Sequence, residues 1–175
     1  MFKGLNLVYN MNPIIIELDY FHDIRGCFFE SYKKTLLEKY NIEFNIKQEN
    51  TCFSNKNVIR GFHYQTGEYS QAKLLMVLNG RIKDVLIDVR IGDTYGKVWE
   101  FDLCSTQKKL LYIPKGFAHG YAIYEDNTIV TYKMDNYYNK ESEKGFNPLS
   151  QSLNIDWKID EPIISDKDNN LINFM

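Results

Sequence analysis

The sequence predicts an all-β fold, a sandwich or barrel of short antiparallel strands. Three observations carry that reading. Runs rich in apolar and β-branched residues recur about every ten positions, each closed by a turn signal. Aromatic residues are abundant: 13 Tyr, 11 Phe and 2 Trp make 15% of the chain, and such rings pack well on a pleated surface. Asn79-Gly80 stands between two of the runs, the strongest short signal for a tight hairpin.

The elements follow in order. Ile14 to Leu18 reads as the first strand and Gly26 to Tyr32 as the second. Lys33 to Tyr40 reads as a helix, because Leu36, Leu37 and Tyr40 fall on one face at helical spacing. Phe44 to Phe53 and Val58 to Tyr64 come next. Lys73 to Leu78 enters the hairpin turn and Ile82 to Val89 leaves it. Val98 to Leu103, Lys109 to Ile113, Tyr121 to Tyr124 and Thr128 to Met134 complete the strands. A further helical turn is expected at Asn139 to Gly145. Beyond Lys140 the chain becomes polar and ends near Pro162 to Asp168, a tail able to fold back over a barrel mouth. With no internal repeat and no low-complexity linker, one domain is expected over residues 1–175.

Composition narrows the functional classes. A chain of 175 residues is long enough to bury roughly 70% of its unfolded surface. Its 44% hydrophobic and 25% charged residues are ordinary for a soluble domain. A formal net charge of -2 supplies no general field for nucleic acid, so an anionic ligand would need local Arg and Lys. No apolar run reaches the ~18 residues of a membrane span. Met1-Phe2-Lys3-Gly4-Leu5-Asn6 lacks the apolar core of a signal peptide. Cys27, Cys52 and Cys104 are odd in number and show no metal-ligand spacing, which suits free thiols in a reducing compartment. A cytoplasmic protein is the expectation.

The chemistry concentrates around Arg60-Gly61-Phe62-His63-Tyr64-Gln65 and Gln71-Ala72-Lys73. One imidazole is bracketed by two cations. That set offers a base for a carbon-bound proton, a cation for the resulting oxyanion and an arginine for a phosphate. Pro114-Lys115-Gly116-Phe117-Ala118-His119 has the Pro-x-Gly-x-x-His spacing of the second motif of cupin barrels. Metal-binding cupins also carry His-x-His and a glutamate seven residues before a glycine. Here those positions hold His63, Gln65 and, seven residues before Gly80, Lys73. An amide and an ammonium are poor partners for a divalent ion, so we expect no metal, with Lys73 supplying the positive charge itself. The fold expectation sharpens to a cupin-like jelly-roll with a few short peripheral helices. His22 is read as a surface residue, and Asp84, Asp88 and Arg90 as structural ion pairing on a strand face.

Further motifs occur in register: Asp23-x-Arg25-Gly26-x-Phe28-x-Glu30, Gln48-x-Asn50-x-x-x-Ser54 and Gln71-x-Lys73-Leu74. Asp84-Val85-x-x-Asp88-Val89-Arg90, Tyr132-Lys133-x-x-x-Tyr137-Tyr138, Glu143-x-Gly145, Ile155-Asp156-Trp157 and Ser165-Asp166-Lys167-Asp168 follow. Together with the two motifs above, the series from about Pro13 to Asp168 resembles the dTDP-4-dehydrorhamnose 3,5-epimerase family. The resemblance implies a cofactor-independent isomerase that inverts C3 and C5 of a nucleotide-linked 4-keto-6-deoxyhexose through an enolate. It implies His63 as base, Asp168 as its orienting carboxylate, Tyr132 as the acid opposite and Lys73 at the enolate oxygen.

By the same matching, Arg60 and Arg25 meet the diphosphate. Gln48, Asn50, Glu30, Glu143 and Lys167 bind nucleotide or sugar groups, His119 lines the pocket, and Tyr138 or its neighbour Tyr137 stacks on the base. Members are homodimers with an exchanged N-terminal segment, so Arg25 and Glu30 would serve the partner's site. Two segments depart from the family pattern: Thr66-Gly67-Glu68-Tyr69-Ser70 lacks the usual prolines, and Phe146-Asn147-Pro148-Leu149 replaces a Trp-x-Asp-Pro. The carrier nucleotide (dTDP, GDP, CDP or UDP) and a hexose or heptose sugar stay open at this point. So do inversion at one carbon only, a metal-dependent cupin, and a sugar-binding cupin without catalysis.

Overall fold

A computed structural model describes residues 11–175, so the Met1 to Asn6 stretch lies outside the described residues. In chain order the strands are β1 (Ile14–Glu17), β2 (Tyr20–Asp23), β3 (Gly26–Phe29), β4 (Gln48–Ser54), β5 (Ile59–Gln65) and β6 (Lys73–Asn79). They continue with β7 (Arg81–Asp88), β8 (Val98–Cys104), β9 (Lys109–Ile113), β10 (Phe117–Ile123), β11 (Thr128–Met134) and β12 (Glu143–Gly145). Two short helices, α1 (Lys34–Glu38) and α2 (Asp166–Asn169), flank them, with single 3-10 turns at Gly67–Tyr69 and Gln151–Leu153. One five-stranded sheet has the order β1-β9-β6-β11-β4 and the other β12-β5-β10-β7-β8; β2 and β3 form a separate hairpin. All these ladders are antiparallel.

Alternation along the strands decides what faces what, because successive side chains point to opposite faces. Leu75 and Val77 of β6, Leu111 and Ile113 of β9 and Val130 of β11 meet Ile82 and Leu86 of β7 and Phe117, Tyr121 and Ile123 of β10 between the sheets. The other face of β6 and β9, with Leu74, Met76, Leu110 and Tyr112, is covered by Leu37 of α1 and by Ile42 and Phe44. On the outside of the second sheet, Phe62, Val85, Ile87, Ala118 and Ala122 are covered by Phe146, Leu153, Trp157 and Phe174. The central strands are thus covered on both faces, which is why β7 and β10 are buried almost throughout. Each fully buried Leu or Ile contributes about 1.5–3 kcal/mol.

Several elements differ from the sequence reading. Tyr20–Asp23 is an additional strand, β2, whose residues are all exposed; with no buried face it carries no alternating pattern. Phe44 to Lys47 is outside β4: Phe44 packs on Leu37 and Tyr112 as a loop residue. β10 begins at Phe117, so His119 lies within a strand that is buried throughout. The helical turn expected at Asn139 to Gly145 is instead β12, which pairs Glu143 with Gln65 and Gly145 with His63. Gly145 is required there, since a Cβ would stand 2.2 Å from the Phe62 carbonyl oxygen. The tail lies mainly on the outer face of the second sheet, and its Ser165 to Asp168 segment reaches the open end between the sheets.

Candidate active site

At that open end, the inward positions of both sheets become polar. The second sheet supplies Arg60 and His63 from β5, Asp84 from β7 and His119 from β10; the first supplies Asn50 and Cys52 from β4, Lys73 from β6 and Tyr132 from β11. Strict alternation would not turn Arg60 and His63 to the same side. The register shows how they get there: His119 pairs with His63 and Tyr121 with Arg60, so β5 holds one more residue than β10 over this interval. That is a β-bulge, a device that re-aims side chains beside a site. Gly61 sits in it at φ +109°, and a Cβ would stand 2.5 Å from the His119 carbonyl oxygen.

His63 is held on both sides. Its Nε2 is 2.9 Å from Asp168 Oδ1, and the other Asp168 oxygen accepts the Gly61 amide at 3.0 Å. Ser165 caps α2 by accepting the Asp168 amide at 3.1 Å, which fixes the carboxylate's approach. Burial disfavours the Asp168 anion, but the His63 and Gly61 hydrogen bonds outweigh it and hold the carboxyl below its usual range. The His63 Nδ1 is 3.3 Å from Glu143 Oε1, an ion-pair distance without hydrogen-bond alignment. Glu143 is itself anchored at the rim, accepting from Lys167 at 2.7 Å and from the Tyr138 hydroxyl at 3.0 Å.

Across the cleft, burial pushes the Lys73 ammonium down to about 8, with Asp84 and Glu143 pulling the other way. The ammonium lies 5.9 Å from the Tyr132 ring centre. Tyr132 faces Asn50 across the β4–β11 ladder, and its hydroxyl is 4.0 Å from Cys52 Sγ. Burial raises the phenol above its ordinary range. Deeper, His119 Nε2 is 2.7 Å from Asp84 Oδ2. Burial keeps His119 below the ordinary imidazole range, with Asp84 opposing and Lys73 and His63 reinforcing.

Two connected lobes share His63, Lys73 and Tyr132. One is lined by Asn50, Gln65, Tyr138 and Glu143, the other by Arg60, His119, Tyr121, Lys167 and Asp168. Gln48 sits at the edge, bonding Asn50 at 3.1 Å and accepting the Tyr138 amide at 3.0 Å. Tyr138 lines the cleft, whereas Tyr137 packs beside Lys47. Arg60 donates to Ser54 at 3.2 Å and is otherwise open to a ligand.

Arg25 and Glu30 are not brought to this cleft. Arg25, at the β2–β3 turn, is exposed and bound to Asp23 at 2.9 Å, and Glu30 pairs with Lys33 at 3.0 Å. The ion-pair reading of Asp88 and Arg90 holds, at 2.6 Å. It fails for Asp84, which points between the sheets to His119; two residues apart, on a strand, Asp84 and Leu86 share the inner face. Cys52 and Tyr121 are cleft residues that the sequence reading missed, although period-2 counting from Asn50 and His119 would have found both. Among the described residues no group of three or more His, Cys, Asp or Glu is arranged to hold a metal ion, and the Gln65 amide oxygen is engaged by the Asn139 amide at 3.3 Å.

An imidazole–carboxylate pair on one wall facing a phenol and an ammonium on the other, within a cupin-like sandwich, is the arrangement of an isomerase-type cleft. Residues 11–175 match the family model described as dTDP-4-dehydrorhamnose 3,5-epimerase. The chain is 39% identical over 163 residues to the dTDP-4-dehydrorhamnose 3,5-epimerase of Escherichia coli K12, covering 90% of this chain and 87% of that protein. It is similar to the Bacillus anthracis dTDP-4-dehydrorhamnose 3,5-epimerase crystallised with TDP and pyrophosphate, with TM-score 0.90 and 36% identity over 93% of this chain and 94% of that one. The Legionella pneumophila dTDP-6-deoxy-D-glucose-3,5-epimerase in complex with dTDP-4-keto-L-rhamnose gives TM-score 0.87 and 36% identity, covering 92% and 87%. The chain belongs to the dTDP-4-dehydrorhamnose 3,5-epimerase family, and the resemblance drawn from its motifs is borne out.

Proposed function

We propose that this protein inverts C3 and C5 of dTDP-4-dehydro-6-deoxyglucose to give dTDP-4-dehydrorhamnose, with His63 as base and Tyr132 as acid. The observation that carries the reading is the placement of His63, Lys73 and Tyr132 around one cleft, contributed by two opposed sheets. The C4 ketone acidifies the hydrogens on C3 and C5. His63 takes one as a proton, the C–H electron pair enters an enolate, and negative charge gathers on the C4 oxygen. The Lys73 ammonium stabilises that oxygen as a preorganised cation. Tyr132 delivers a proton to the opposite face, which inverts the carbon and leaves a phenolate. Exchange with solvent protons resets base and acid before the second carbon reacts.

Asp168 fixes the ring orientation of His63 and stabilises the imidazolium as it forms. Arg60 and Lys167 at the rim suit a diphosphate; Gln48, Asn50, Glu143 and Tyr138 suit the sugar and the base, and His119 lines the floor. These steps need neither a metal nor an organic cofactor.

The working unit is a homodimer. The β2–β3 hairpin joins neither sheet, and Phe21 and Phe28 are each 67% exposed on it. A two-stranded hairpin that packs on the rest of the chain only through Phe29 among its strand residues is marginal by itself; a second copy would cover it and receive Arg25 and Glu30. The direct test of the catalytic reading is His63→Ala. Turnover of dTDP-4-dehydro-6-deoxyglucose should fall about 10²- to 10⁴-fold while circular dichroism and TDP binding persist. Unchanged turnover would refute it, and loss of activity on exhaustive chelation would favour a metal-dependent cupin instead.

A further inference from the structure

Arg60 is an exposed residue of β5 and lines the lobe that Lys167 also reaches. Lys167 is already paired with Glu143 at 2.7 Å. Arg60 has no carboxylate at ion-pair distance among the described residues; what holds it is a hydrogen bond from Nε to the Ser54 hydroxyl at 3.2 Å. Ser54 is buried, at 7% exposure, and lines neither lobe of the cleft. It ends β4, opposite the fully buried Thr128 at the start of β11. The bond therefore crosses from the first sheet to the second, and the strand ladder holds its acceptor in place.

A guanidinium can meet a phosphate through either of two edges, Nε with one Nη or the two Nη atoms together. With Nε taken by Ser54, the second edge is the one left to a ligand, and the plane of the fork is set before the ligand arrives. We propose that Ser54 is a positioning residue for phosphate recognition: by occupying Nε it presents Nη1 and Nη2 of Arg60 end-on to one phosphate of the nucleotide sugar. The inference rests on the diphosphate role given above to Arg60. A side chain fixed before binding loses less rotamer freedom on binding, so Ser54 raises affinity without touching the ligand. A lysine could not be held in this way, because it has no donor behind its terminal nitrogen.

The experiment is isothermal titration calorimetry with TDP and with pyrophosphate on the parent protein, Ser54→Ala, Arg60→Ala and the double variant, with circular dichroism to follow folding. Ser54→Ala should weaken both ligands roughly 3- to 10-fold. KM for the nucleotide sugar should rise by a similar factor, with kcat moving less. In the Arg60→Ala background the loss of the Ser54 hydroxyl should cost nothing further, a response that a merely structural Ser54 would not give. Unchanged TDP affinity in a folded Ser54→Ala protein, or the same loss repeated in the Arg60→Ala background, overturns the positioning role and leaves the role of Arg60 standing. Unchanged TDP affinity in Arg60→Ala overturns the diphosphate reading itself. Arg60→Lys covers the case in which Ser54→Ala does not fold: it keeps the charge but lacks both Nε and the fork. TDP binding should then weaken at least as much as predicted for Ser54→Ala, and parent affinity in Arg60→Lys would overturn the proposal.

Discussion

Lys73 is lowered to about 8 by burial although Asp84 and Glu143 oppose the shift, so stability depends on pH. Below that value the ammonium is charged in both folded and unfolded chains, so the full cost of burying it is present. As pH rises through about 8 the folded chain loses the proton first. The cost is then recovered until the unfolded chain also deprotonates near ~10.4. Lys73→Met should therefore stabilise the fold near pH 7 by roughly 3 kcal/mol, net of the attraction to Asp84, with the gain shrinking at alkaline pH. Denaturant titrations of both proteins at several pH values check this, and the same variant should be nearly inactive. The sequence offered Lys73 as a cation in place of a metal ligand, a reading made from its spacing to Gly80. It offered nothing comparable for Asp168: an acidic residue in a polar tail has no local pattern, and only the family motif pointed to it.

Among the elements, α2 is a single turn, yet it carries the carboxylate that bonds His63. Its cap is Ser165, whose hydroxyl accepts the Asp168 amide at 3.1 Å. Ser165→Ala should cost about 1 kcal/mol and should lower kcat more than it raises KM, because Asp168 meets the imidazole and not the substrate. Steady-state kinetics with urea unfolding separate the two effects. The bulge in β5 was invisible in sequence for a related reason. Arg60-Gly61-Phe62-His63 reads as a plain strand, and the extra residue appears only against the register of β10. Likewise β12 has three residues and is defined by its pairing to β5, a long-range contact that local propensity does not encode. The long, strongly apolar runs of β6, β7 and β11 were legible to within a residue or two, since burial on one or both faces wrote the pattern directly.

For the molecule as a whole, the all-β sandwich was readable because turn signals and alternating runs are dense, and the family because its motifs fall in order. The homodimer proposed above has no such local signal: among the described residues Arg25 and Glu30 bond only to Asp23 and Lys33 near the β2–β3 hairpin. Replacing Phe21 and Phe28 with Asp should yield a folded monomer by analytical ultracentrifugation, with KM for the nucleotide sugar raised at least about tenfold if two diphosphate and base contacts are lost. A stable dimer with unchanged kinetics would show that the hairpin serves neither purpose. No helix among the described residues is long and apolar enough to cross a membrane.

The central assertion is that hydrogen leaves and returns to carbon at two positions of one sugar. Conversion of dTDP-4-dehydro-6-deoxyglucose in deuterium oxide, read by ¹H NMR and mass spectrometry, tests it most directly. The account predicts deuterium at both C3 and C5 of an inverted product, with no label at either carbon when His63→Ala is used. Label confined to a single carbon, or a product formed without any label, would contradict it.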